Sequence, residues 1–133
     1  MFFKQFPTRD ASLSYLFGCA GLGKAVAVDV VAGDEDWFVE QAQQADARIT
    51  HVIDTHVHAD HLSGGRSLAR SVGASYCLHE EARGFVHFDF EALQNDQLID
   101  IGLSRAAFVE QLCAEIPPRP ADMQRIVAAN VAA

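Results

Sequence analysis

Cysteine is scarce in this chain, and the three present, Cys19, Cys77 and Cys113, are widely spaced with no Cys-x-x-Cys pair. They read as buried thiols of a reducing cytoplasm, with Cys77, set in an apolar stretch, a core residue rather than a ligand. Basic residues are few: ten stand against eighteen acids, for a net charge of −8. That balance argues against a nucleic-acid or anionic-membrane surface. Long apolar runs are lacking too. Residues 13–31 are apolar on average, but Lys24, Asp29 and three glycines interrupt them, so no membrane span is expected. Met1-Phe2-Phe3-Lys4 is too short an apolar run for a secretory signal. Repeats, low-complexity tracts and linkers are absent. Histidine is missing from both ends, since all six lie between positions 51 and 87.

What remains is globular. At 133 residues, half of them apolar, the chain is expected to be one domain with a core of its own. Residues 2–6 alternate weakly as a first strand. Leu13, Tyr15 and Phe17 alternate more clearly, a glycine-rich turn follows, and residues 25–31 are a β-branched run, which predicts a hairpin over 12–31. Gly18 to Lys24 imitates a phosphate-binding loop. However, Ala25 stands where Ser or Thr would meet Mg²⁺, and a strand follows instead of a helix. Asp34 is placed to cap a helix over about 35–45, with Trp37, Phe38, Ala42 and Ala45 on its apolar stripe. Residues 49–54 predict a strand, 62–72 a helix ended by Gly73, and 75–78 a short buried strand. Residues 98–101 read as a strand, followed by helices that Ser104 caps and Pro120 opens. This order predicts an α/β chain with a mixed sheet.

The densest chemistry is Thr55-His56-Val57-His58-Ala59-Asp60-His61, directly after the apolar run 49–53. In an extended segment alternate side chains share a face, which puts His56 and His58 together. Asp60 and His61 follow where the chain turns before Ser63-Gly64-Gly65. Imidazoles with a carboxylate suit Zn, Fe, Mn or Ni rather than Ca or Mg. A polar turn whose histidines merely cap a helix is the bland alternative, and random loops rarely stack ligands at this density. Asp54 either orients a neighbouring imidazole or bonds turn amides. His51, His79 and His87 are read as structural.

These residues carry a resemblance. His-x-His-x-Asp-His after a buried strand resembles the signature of the metallo-β-lactamase superfamily. The fuller Thr-His-x-His-Ala-Asp-His-Leu-Ser-Gly-Gly of residues 55–65 is similar to its glyoxalase II and persulfide dioxygenase (sulfur dioxygenase) branch. The resemblance implies a single truncated domain over 1–133, one half of an αββα sandwich. Residues 1–102 would be a mixed sheet with helices on one face, and residues 103–133 a C-terminal helical tail. It also implies His56, His58, Asp60 and His61 as ligands of one divalent ion, zinc or iron ahead of manganese or nickel. Asp60 would be catalytic, orienting the attacking water, and the substrate a small thioester or thiol-derived molecule.

The family also uses a later histidine, commonly in Gly-His-Thr-x-Gly, a bridging aspartate in Gly-Asp and often a final histidine. None of these follows His87. Residues 104–130 nevertheless resemble the tail of the same branch, as if joined to Asp100-Ile101-Gly102 across an absent middle. In persulfide dioxygenases a single iron uses only the first of these histidines, here His56. Two expectations result. One is a metal-dependent hydrolase or sulfur dioxygenase-like protein with reduced or lost activity. The other is a non-catalytic homo-oligomeric fragment with a binding or structural role. A sheet face left open at Leu13, Tyr15, Phe17, Val26, Val28 and Val30 would be covered by a second copy, so a homodimer is expected.

Overall fold

The computed structural model describes residues 1–8 and 12–99, all within one compact unit, Met1–Leu103. Strand β1 (Phe2–Pro7) pairs antiparallel with β2 (Leu13–Cys19), and β2 pairs antiparallel with β3 (Lys24–Val28). The glycine-rich segment between them is a 3-10 turn at Ala20–Leu22, closed by Gly23 with a left-handed φ of 62°. It joins two strands, as a hairpin turn does, and no helix follows to cradle phosphate. Gly18 is needed for close pairing, because a Cβ there would lie 2.2 Å from the Lys24 carbonyl oxygen.

From β3 onward the neighbours are parallel: β4 (Arg48–Ile53), β5 (Ser75–His79) and β6 (Glu91–Leu93), in the spatial order β1 to β6. The expected mixed sheet is therefore present. Strand β6 was not legible, because three residues are too few to display a period. Residues 98 and 99 are not in a strand, and the remainder of that expected strand and the helical tail lie outside the described residues.

Helices α1 (Glu35–Gln44) and α2 (Gly65–Val72) connect the parallel strands and cover one sheet face. Leu16, Ala25, Ala27, Ile49 and Val52 from the sheet meet Phe38 and Ala42 of α1 and Leu68 and Ala69 of α2. Burial of each large side chain contributes about 1.5–3 kcal/mol. Asp34 stands at the N-cap of α1 but makes no side-chain bond. Instead Glu35 Oε2 accepts the Gly33 N–H at 2.6 Å. Helix α2 starts at Gly65 rather than near Leu62, because residues 62–64 are held in backbone bonds to the loop after β3. The Ala32 N–H donates to Leu62 O and the Gly64 N–H to Val30 O. Leu62 itself is left 81% exposed.

On the other face Phe3 stacks near Tyr15 and Phe17. Leu13 is exposed there, and Tyr15, Phe17 and Val28 are half-buried. Val26 and Val30 do not meet water as expected, being 2% and 0% exposed. Strand β3 ends at Val28, and Asp29, with φ 53°, breaks the alternation. Val30 thereby joins the helix-side core.

Candidate metal centre

Three parallel strands deliver side chains to one edge of the sheet: Asp29 just past β3, the histidine-rich turn past β4, and His79 at the last position of β5. The carboxyl ends of parallel strands are where α/β sheets build sites. The turn itself is irregular, since β4 stops at Ile53. His56 and His58 are therefore not alternate residues of an extended strand, as their spacing suggests. The loop curls instead, and it still brings their ring centroids to 4.3 Å and those of His58 and His61 to 4.1 Å.

Asp29 fastens that curl. Its Oδ1 accepts the Thr55 N–H at 2.7 Å, and its Oδ2 accepts the Thr55 hydroxyl at 2.9 Å. The Asp29 N–H in turn donates to Ile53 O. Its left-handed backbone is uncommon for most residues with a Cβ and more accessible to Asp.

Asp60 Oδ1 lies 3.2 Å from His61 Nδ1 and 3.8 Å from His58 Nδ1. The His58 and His61 side chains are only 4% and 2% exposed, against 65% for Asp60. No ring nitrogen of His58 or His61 has a hydrogen-bond partner among the described residues. His58 Nε2 is 3.2 Å from Asp29 Oδ1, but off hydrogen-bond alignment. Burying a polar group without a partner costs about 1–3 kcal/mol, so such groups normally await something. Ligand atoms of His56, His58 and Asp60 all fall within 4.8 Å of one another, as do those of Asp29, Asp54 and His58. An imidazole–carboxylate set of this kind fits a divalent transition ion. His61 adjoins the first group through Asp60. A backbone hydrogen bond holds the Asp60 carboxyl below its ordinary range, and the His61 and His58 rings add to this against a smaller opposing effect of desolvation. Asp60 is thus ionised and available as a ligand.

Asp54 does not orient an imidazole by hydrogen bonding. Its Oδ2 accepts Ser63 Oγ–H at 2.5 Å and Tyr76 O–H at 2.7 Å. Gly65 allows this approach, because a Cβ there would sit 2.9 Å from Asp54 Oδ1. Burial raises the Asp54 pKa, with the Ser63 and Tyr76 bonds opposing. Burial also pushes the Tyr76 hydroxyl well up, helped by the Asp54 carboxylate. Sequence reasoning missed Asp29, Ser63 and Tyr76. Only Asp29 left a signal, as the one acid inside the apolar run 25–31. Among the other histidines, His51 Nδ1 lies 3.0 Å from the Thr50 hydroxyl, His87 is exposed, and His79 Nδ1 accepts the Glu81 N–H. Cys77 is fully buried, and burial pushes its thiol up to about 12, assisted by Glu91; a thiol so protonated is a core residue and no ligand.

The sequence and the fold are similar to known proteins. Residues 7–125 match the profile of the metallo-beta-lactamase superfamily. A hydroxyacylglutathione hydrolase of Polaromonas sp. is 27% identical over 106 residues, covering 80% of this chain and 38% of that protein. The chain therefore spans less than two fifths of that relative. The crystal structure of ETHE1 from Myxococcus xanthus is similar with TM-score 0.55 and 33% identity, over 58% of this chain and 35% of that one. A metallo-beta-lactamase from Staphylococcus aureus superposes with TM-score 0.67 and 29% identity, over 76% of this chain and 30% of that one.

Proposed function

Since the chain belongs to the metallo-β-lactamase superfamily, in its glyoxalase II and persulfide dioxygenase branch, we propose that His56, His58, Asp60 and His61 bind one divalent ion, zinc or iron, for thioester hydrolysis. The observation that carries this is the pair of buried imidazoles, His58 and His61, with no hydrogen-bond partner on any ring nitrogen among the described residues. The ion supplies Lewis acidity toward a carbonyl and acidifies a water. The protein's own part is positional. Asp29 and Thr55 hold the turn, and Asp60, ionised and open to solvent, orients the attacking water and accepts its proton. A small thioester matches the reaction that the hydroxyacylglutathione hydrolase relatives are named for. A sulfur dioxygenase-like use of iron at His56 is the other activity of the same branch. Four side chains of this turn do not complete a two-metal centre, so turnover is expected to be low.

The half-exposed aromatic and aliphatic face of β1 to β3 favours a second reading, a homodimer in a reducing cytoplasm whose role is binding or structural. Hydrolysis of a short-chain thioester by the zinc-loaded chain, compared with free zinc at the same concentration, separates the two. Turnover above free zinc supports the hydrolase, and its absence favours the second.

A further inference from the structure

His79 does two things at once, and only one has a partner. Its Nδ1 accepts the Glu81 N–H at 3.4 Å, capping the 3-10 turn Glu80–Gly84. A nitrogen that accepts carries no proton, so in the neutral ring the proton is on Nε2. That Nε2 is buried and has no partner among the described residues. His79 also lines a cavity of about 500 Å³ beside the metal-ligand turn, with Thr55, His56, Val57, Leu78 and Phe85 among its other walls. The volume is that of a small-molecule pocket. Its walls are mainly aliphatic and aromatic, and Glu81 at the rim disfavours an anionic occupant. Val57 and Phe85 are 50% and 77% exposed, large apolar surface for a loop to leave in water.

We propose that this cavity is a ligand subsite in which the His79 Nε2–H donates to a neutral carbonyl oxygen of a small acyl compound, with its alkyl part against Val57, Leu78 and Phe85. Placed next to His56, it receives the acyl side of the thioester in the reading above and rests on that reading for its biological substrate. Binding itself needs neither metal nor turnover.

The test is an NMR titration of the full chain, as purified, with hexanamide, a neutral carbonyl probe that resists hydrolysis. Signals of Val57, Leu78, Ala82 and Phe85 report occupancy. His79→Asn keeps an acceptor near the Nδ1 position, and so the cap, but its own N–H groups stop near the Cδ2 position and leave no donor at Nε2. His79→Gln places an amide N–H near the Nε2 position and gives up the cap. The expected result is pocket shifts in the wild type, about 3- to 10-fold weaker binding in His79→Asn, the range of one net hydrogen bond, and near wild-type binding in His79→Gln. Wild-type affinity in His79→Asn, equal weakening in both variants, or no shift of the pocket signals would overturn the proposal. Intact binding alongside absent thioester turnover would count against the hydrolase reading alone.

Discussion

Asp54 and His58 lie four positions apart, and both carry buried functional groups: Asp54 is 2% exposed as a residue and the His58 side chain 4%. Asp54 Oδ2 holds two donors, Ser63 and Tyr76, whereas Asp54 Oδ1 and both nitrogens of His58 have no hydrogen-bond partner among the described residues. The first arrangement ties the turn before α2 to β5 through Asp54 Oδ2 and so supports the fold. The second leaves the His58 nitrogens 3.2 Å from Asp29 Oδ1 and 3.8 Å from Asp60 Oδ1 without a hydrogen bond, an arrangement that a fold gains little from unless a cation joins these groups. The contrast teaches where support ends and function begins along one short turn.

Substitutions at each side of the contrast should behave differently. The largest effect is expected at Asp60: in a chain that hydrolyses a thioester probe, Asp60→Asn should lower kcat by about two to four orders with an unchanged melting temperature. Next is Asp54→Ala, which leaves Ser63 and Tyr76 without their acceptor and should destabilise the chain by about 1–3 kcal/mol per orphaned group in chemical denaturation. Asp54 is outside the four proposed ligands but close to Asp29 and His58, so the metal affinity of the folded Asp54→Ala fraction should change less than its stability. Asp29→Asn should reverse that pattern, reducing zinc affinity by about 10–100-fold, the usual worth of a supporting carboxylate, while the fold persists. A competition titration with a zinc dye reads it.

The smallest effect is a pH dependence. Burial raises the pKa of Asp54 above 3.8 in the folded chain, so the folded state holds this proton more tightly than the unfolded one. The associated stability is complete below pH 3.8 and is lost as pH rises through the folded value. Asp54→Asn has no such proton to lose. Its unfolding free energy relative to wild type should therefore rise from about pH 3.5 to neutrality, and a flat difference would show that Asp54 is not perturbed.

Much of this was legible beforehand, and the misses have physical causes. The hairpin, α1 and the parallel strands β4 and β5 announce themselves by their apolar patterns, and the ligand turn by its density of donors. The start of α2 was misplaced because Leu62 looks like a helix residue, while backbone bonds from Ala32 and Gly64 hold that stretch in a loop. The proximity of His56 and His58 was anticipated for the wrong reason, alternation along a strand; it depends on Asp29, which is distant in sequence. Val30 was assigned to the open face because nothing local reveals that Asp29 adopts a left-handed backbone. Partners such as Tyr76 belong to tertiary structure, and no spacing encodes them.

The central claim is that the unpartnered imidazoles exist for a metal. Elemental analysis of the purified chain, before and after exposure to Zn²⁺, with His56→Ala/His58→Ala as control, tests it most directly. The account predicts zinc, iron, manganese or nickel approaching one ion per chain, and its loss in the double variant. A well-folded wild-type chain that is metal-free and also refuses added Zn²⁺ would contradict it.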